Sequence, residues 1–332
     1  MNIIKLQKKT KKMKKNYKIF IAGHNGMVGK SLVNFFKSKN FDNLILVSRK
    51  QLNLENFKKV NLFLRKKKPD VIINCAGRVG GIMANYNFPT EFLNENILIQ
   101  TNLIKCAHEN NIKHFINLGS SCIYPKNSKQ PIKEDYLLTD SLEETNEAYA
   151  LAKIIGVKLC EYYNRQFKRN YFTLMPCNLY GPHDNFNLKN SHFVPALIKK
   201  IILSKINKDP NIEIWGTGKP KREVMFVDDL ARAIFFILNK KIKKDKKLLS
   251  VLKKTSLINV GSGKEYLIKD IAKIICKLEN NKTRLYFNTN YPDGTKRKVV
   301  DTRVLKNLGW SSKVSLAEGL SKTIKWYKEN YL

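Results

Sequence analysis

Acidic residues are scarce in this chain. It has 332 residues and carries 27 aspartates and glutamates against 62 lysines and arginines, a formal net charge of +35. Long apolar runs are absent too. None reaches the roughly 18 residues that a membrane-spanning helix needs, and the N-terminus shows neither an apolar signal core nor a small-residue cleavage site. The expectation is therefore no membrane association and no export. Six cysteines lie apart, at positions 75, 106, 122, 160, 177 and 276, with no C-x-x-C pair and no zinc-like spacing. They read as reduced thiols of a cytoplasmic protein, most of them small buried apolar residues, and no metal site is expected. The lysines are spread along the whole chain and are not gathered into an arginine-rich or aromatic-interleaved patch, so nucleic-acid binding is not expected. An anionic substrate would be steered favourably by such a field. Residues 1–16 are lysine-rich and aperiodic, and read as a basic disordered tail.

Pattern begins at Tyr17. An apolar strand, Lys18–Ala22, runs into Gly23-His24-Asn25-Gly26-Met27-Val28-Gly29, after which Leu32, Val33, Phe35 and Phe36 continue at helical spacing. Strand, glycine turn and helix form a dinucleotide-binding unit, in which glycine makes the tight turn and lets backbone approach the pyrophosphate. The helix N-terminus offers free N–H groups to the phosphates. Gly23, Asn25, Gly26, Met27, Val28 and Gly29 are thus candidate cofactor contacts. The next strand, Asn43–Val47, ends in Ser48-Arg49 with no carboxylate for a ribose 2′-hydroxyl. Arg49 would suit a 2′-phosphate, which points to NADP(H), or stands as a solvated loop charge.

The alternation continues through a helix at 54–67 and a buried strand, Asp70–Asn74, ending in Cys75-Ala76-Gly77, where small Ala76 would admit the cofactor. A long helix covers Thr90–Asn110 and a strand His114–Leu118; a helix follows at Asn146–Lys168 and a strand at Tyr171–Met175. The fold class expected is α/β: a Rossmann-type doubly wound parallel sheet over residues 17–180, with later segments returning to it, and a smaller α/β substrate domain mainly in 181–332. In that second part helices are expected at 193–203, 227–239 and 268–278, with strands near 212–215, 223–226 and 258–261. The lysine-rich stretch 240–254 reads as a loop.

Two short elements concentrate chemistry. Ser120 and Cys122 follow the strand His114–Leu118, two apart, and in an extended segment would point the same way. Tyr149 and Lys153 are four apart and share a helix face. An ammonium beside a phenol would lower its pKa and make Tyr149 a usable acid or base, and Ser120 would hold the same substrate oxygen. A lone Y-x-x-x-K is an ordinary surface pair; the glycine turn upstream changes that weighting.

The glycine turn, the strand-end Ser120 and the Tyr149–Lys153 pair together resemble the extended short-chain dehydrogenase/reductase family. A narrower resemblance is carried by Arg78–Ile82, Ser120–Pro125, Asn178–Phe186, Asn190–Pro195 and Trp215–Gly218. It is to the bifunctional branch that turns GDP-4-keto-6-deoxy-D-mannose into GDP-L-fucose by 3,5-epimerisation and NADPH-dependent 4-keto reduction. The resemblance implies Cys122 as the base and His192 as the acid of epimerisation, and Tyr149 as proton donor in reduction, supported by Ser120 and Lys153. It also implies cofactor contacts at Tyr149, Lys153 and His192. Asn178, Lys200, Trp215, Arg222, Asp293 and Lys298 would bind the GDP-sugar, Arg222 and Lys298 through its pyrophosphate. A homodimer built on the two long helices is implied as well. Two positions depart from the pattern: Asn25, where relatives often carry a basic residue, and Lys199-Lys200, where an arginine is expected. Another nucleotide-sugar reductase, epimerase or dehydratase is the alternative, and a non-catalytic binding protein a third.

Overall fold

The structure, a computed structural model, describes residues 13–188, 190–291 and 293–332. Six parallel strands form its main sheet in the order β2-β1-β3-β4-β5-β9. They are β1 (Ile19–Ala22), β2 (Leu44–Ile45), β3 (Val71–Asn74), β4 (His114–Leu118), β5 (Phe172–Pro176) and β9 (Leu257–Val260). Each of β1, β3, β5 and β9 is buried along its whole length. That is why these strands are continuous apolar runs: a parallel sheet is covered on both faces.

One face is covered by α1 (Met27–Ser38), α7 (Val227–Ile242), α8 (Lys246–Lys254) and α10 (Arg303–Asn307), whose apolar stripes meet Ile19, Ile21, Val71, Ile116 and Phe172. On the other, α2 (Phe57–Lys67), α4 (Pro89–Glu109) and α5 (Glu147–Phe167) pack on Phe20, Ile72 and Phe115. The chain leaves β1 for β2 on one side and β3 on the other. The crevice at that switch point is where doubly wound sheets take their ligands.

The remaining strands build two smaller sheets. β8 (Lys221–Phe226) lies between antiparallel β10 (Glu265–Leu267) and parallel β12 (Arg297–Lys298), with β6 (Asn178–Tyr180) also parallel to it. β7 (Asn211–Trp215) pairs in parallel with β11 (Arg284–Asn288). Around them α6 (Phe193–Asn207), α9 (Ile268–Leu278) and α11 (Leu316–Tyr331) enclose a separate core of Ile198, Ile201, Ile271, Ile275, Leu320 and Tyr327. The short α3 (Ile82–Asn87) precedes α4.

Three expectations change. The stretch 240–254 is not a loop: α7 runs to Ile242, and α8 follows with Asp245 as its cap, accepting from Leu248 N at 2.9 Å. Leu248, Val251 and Leu252 then reach the first core, so the lysines are the outer face of an amphipathic helix. Of the expected tail, residues 13–16 are ordered, because Met13 is buried in the same core; residues 1–12 lie outside the described residues. Ser121–Ile123 is a 3-10 turn capped by Ser120, not an extended segment.

Lys241 is buried against this core. Its ammonium makes no hydrogen bond among the described residues and sits 4.7 Å from the Phe172 ring centroid. Burial pulls its pKa down to about 7. A lysine depressed in the folded state costs stability, fully below about pH 7 and less as pH rises towards its ordinary range. Lys241→Met should therefore stabilise the fold by about 1–3 kcal/mol at pH 6, with a smaller gain at pH 9, read from urea unfolding at both pH values.

Candidate active site

Gly23 and Ala76 bring two strand ends together at the switch point. Gly23 has φ +80°, and a Cβ there would lie 2.7 Å from Ala76 N, so only glycine lets β1 and β3 end this close. Gly29 is held just as tightly against the Gly23 carbonyl. Gly26 starts α1 without a side-chain cap, and no acid stands in the first turn. This leaves N–H donors and the positive helix end facing the crevice. Asn25 is exposed at the rim, Met27 and Val28 open the helix, and Ala76 lines the crevice. These residues fit a dinucleotide. Arg49 lies at the edge with its side chain 69 % exposed, paired with Glu55 at 2.8 Å and Glu95 at 3.5 Å. A 2′-phosphate would compete with two carboxylates for it.

The next site builds on β4 and α5. Ser120 accepts from Cys122 N at 3.4 Å, and its hydroxyl is within hydrogen-bond reach of both the Tyr149 phenol and the Cys122 thiol. Lys153 donates to the Leu118 carbonyl at 3.1 Å, and its Nζ lies 5.5 Å from the Tyr149 ring centroid. The Tyr149 ring meets Phe92 edge-on. Ser120, Cys122, Tyr149 and Lys153 are thus brought into one cluster. The expected direction of the phenol pKa is overturned. Burial pushes Tyr149 well up and Cys122 raises it further, outweighing its hydrogen bond to Ser120. Lys153 is itself pulled down to about 8 by burial. At neutral pH the phenol keeps its proton and is fit to donate it.

Burial also raises the Cys122 thiol, opposed first by the Lys298 ammonium, then by Ser120 and Lys153. Lys298 therefore lies nearer this cluster than a pyrophosphate-only role implies. It is the register partner of Arg222 across β12 and β8, which places two cations side by side. Arg222 donates to the Thr295 carbonyl at 2.5 Å.

His192 is the backbone cap of α6, with no side-chain cap bond. His192 is solvent-exposed, yet the surrounding protein desolvates its imidazole enough to lower its pKa. The loop carrying it is pinned on the segment after β3: Gly81 N donates to Asn190 O at 2.9 Å, and a Cβ on Gly81 would lie 2.6 Å from Ser191 O. That segment continues into α3, which packs against residues 144–146 just ahead of Tyr149.

The other expected substrate residues are each held by bonds of their own. Asn178 spends its amide on Glu223 O at 2.9 Å. Lys200 donates to Glu213 O at 3.0 Å and lies 5.1 Å from the Trp215 ring. Asp293 already accepts from Thr217 N at 2.9 Å and Thr217 Oγ1 at 2.6 Å, so it braces a turn; Pro292 beside it lies outside the described residues. Sequence reasoning missed Thr217, Gly81 as the seat of the His192 loop, and Tyr291, which stacks on Trp215. The aromatic next to the Pro-Asp-Gly turn was the available signal for Tyr291.

The family described as NAD dependent epimerase/dehydratase matches residues 19–251. GDP-L-fucose synthase of Escherichia coli is 42% identical, over 94% of this chain and 97% of that protein. GDP-L-colitose synthase of Yersinia pseudotuberculosis is 43% identical, over 93% and 97%. Among solved structures, a GDP-mannoheptose C4 reductase from Campylobacter jejuni with NADP bound superposes with a TM-score of 0.86 at 34% identity, covering 95% of this chain and 99% of that one.

A raised Cys122 pKa has a direct consequence. Alkylation of Cys122 by iodoacetamide, followed by mass spectrometry, should be slower at pH 7 than that of a free thiol and still be climbing above pH 9. Lys298→Met should move the rise to higher pH; a rise complete below pH 9 in the unaltered protein would contradict the environment described.

Proposed function

The chain belongs to the NAD dependent epimerase/dehydratase family, and on that premise we propose that it converts GDP-4-keto-6-deoxy-D-mannose to GDP-L-fucose, inverting C3 and C5 and then reducing C4. The observation that carries this reading is the convergence of Ser120, Cys122, Tyr149 and Lys153 on one strand end. A relative named GDP-L-fucose synthase, matched almost end to end, supports it. It is an NADPH-dependent oxidoreductase and epimerase.

The keto group at C4 makes the protons at C3 and C5 acidic, so epimerisation needs a group that removes a proton and one that returns it from the opposite face. Cys122 takes the first role: its thiolate is opposed by burial and favoured by Lys298 and Lys153. His192, on its pinned loop, takes the second. Gly23–Gly29 and Ala76 would hold NADPH, which would supply the hydride for C4. Tyr149, which keeps its proton at neutral pH, gives it to the C4 oxygen, with Ser120 orienting the same oxygen. Lys153 holds the Leu118 carbonyl and keeps positive charge near the phenol below about pH 8. Arg222 and Lys298 meet the pyrophosphate, and Asn178, Lys200, Trp215 and Asp293 bound the nucleotide end.

The same reading places the enzyme in the cytoplasm, where thiols such as Cys122 stay reduced. It also makes it a homodimer. α4 and α5 pack side by side and leave Leu98, Leu151 and Tyr162 exposed, apolar side chains suited to a four-helix interface. Light scattering at micromolar concentration should give twice the chain mass; a monomer refutes it.

NADPH oxidation with GDP-4-keto-6-deoxy-D-mannose, with the product sugar identified by NMR, tests the reaction. GDP-L-fucose supports the reading, and turnover without inversion at C3 and C5 reduces it to a 4-reductase. Tyr149→Phe should lower C4 reduction by about 100-fold or more while leaving C3 and C5 exchange with solvent largely intact. Cys122→Ala should instead suppress deuterium uptake by the keto-sugar; equal loss of both activities in either variant would refute separate roles.

A further inference from the structure

Trp215 and Tyr291 form an open pair of rings beside the pyrophosphate cations. β11 runs parallel to β7 with Asn288 opposite Trp215, and Gly216 N donates to Asn288 O at 2.9 Å. The chain then turns back and lays Tyr291 on the indole, ring centroids 4.3 Å and planes 15° apart. Trp215 remains 48% and Tyr291 41% exposed. Both rings are anchored. The indole Nε1 donates to Glu213 Oε2 at 3.3 Å, and Lys200 stands over it. The turn bearing Tyr291 is tied down at Asp293 by Thr217, and two residues further on by Arg222, which donates to Thr295 O. The same short segment then supplies Lys298. A flat aromatic face, held rigid and left in water, thus stands one turn of chain away from two pyrophosphate-binding cations.

We propose that Tyr291 is a base-stacking residue: the guanine of the GDP-sugar packs on the Trp215–Tyr291 plate while Arg222 and Lys298 hold the pyrophosphate. This rests on the reading above that the substrate is a GDP-sugar. Stacking of a base on an aromatic side chain contributes enough that its removal weakens binding by roughly 5- to 100-fold. Tyr291 belongs to the nucleotide end and not to the cluster of Cys122 and Tyr149, so its loss belongs in KM and not in kcat.

The test uses the full-length enzyme, with GDP and UDP as probes in isothermal titration and the keto-sugar in steady-state assays. Tyr291→Ala should weaken GDP binding about tenfold and raise the keto-sugar KM in step, with kcat within about twofold and NADPH binding unchanged. Tyr291→Phe should keep the affinity of the unaltered enzyme. Unchanged GDP affinity in a folded Tyr291→Ala variant overturns the proposal, and so does an equal loss in Tyr291→Phe. If the unaltered enzyme prefers UDP to GDP, the GDP-sugar reading fails instead. The plate then stands or falls on whether Tyr291→Ala weakens UDP.

Discussion

A file of three buried amides joins the cofactor crevice to the helix that carries Tyr149 and Lys153. Asn74 accepts from Ala76 N at 3.1 Å and donates to Asn117 at 2.9 Å. Asn117 donates to Gln100 at 3.2 Å, and Gln100 to the Ala152 carbonyl at 2.7 Å. All three side chains are fully enclosed. Each amide uses its oxygen and an N–H of its nitrogen, and such a polar chain in a low-dielectric interior is stiff. A net gain of about 1 kcal/mol per bond is modest, but losing any one member strands buried polar groups on both neighbours. Gly156 makes the close approach possible, because a Cβ there would run into Gln100 and Asn117. The small residues after β3 and the helix that carries Tyr149 and Lys153 therefore share one fixed frame.

That frame was only partly legible in the chain. The buried strands announced themselves because a sheet covered on both faces needs uninterrupted apolar runs, and β3 and β4 supplied them. Asn74 ends its run and Asn117 stands one residue short of the end of its own, where a polar residue does not read as a buried partner. Leu316, Leu320, Ile324 and Tyr327 carry the helical spacing of α11 behind a Ser315 cap, a signal present in the chain but left unread. In α8 the lysines masked Leu248, Val251 and Leu252, so composition outweighed period.

At the site, residue types were legible and their surroundings were not. Tyr149, Lys153, Ser120 and Cys122 follow from motif spacing, and the structure does gather them. The direction of the Tyr149 pKa does not follow from spacing, because it is set by how much protein encloses the ring. A neighbouring ammonium was counted in its favour, while the desolvation that opposes it was invisible. Lys298 is the sharper instance: 145 positions would have to be crossed in sequence to reach it from Lys153, and the pairing of β12 with β8, with the bridge of Val300 to Ile132, brings it towards Cys122.

β8 accounts for that placement. Neighbouring residues on a strand face opposite ways, and here Arg222 turns to the Thr295 carbonyl while Glu223 turns to the joint between the sheets. Glu223 accepts from Gly263 N at 2.6 Å and Val300 N at 2.8 Å, two backbone groups from separate segments. Burial raises its pKa to about 7, and the backbone donors hold against that rise. Val300 is two residues from Lys298, so the carboxylate that fastens the joint also helps to set where Lys298 stands relative to the Cys122 thiol. In a chain with so few acids, one of them is spent inside the protein on setting the position of a cation. The position of Lys298 then depends on β8, on the carboxylate behind it and on the bridge of Val300 to Ile132.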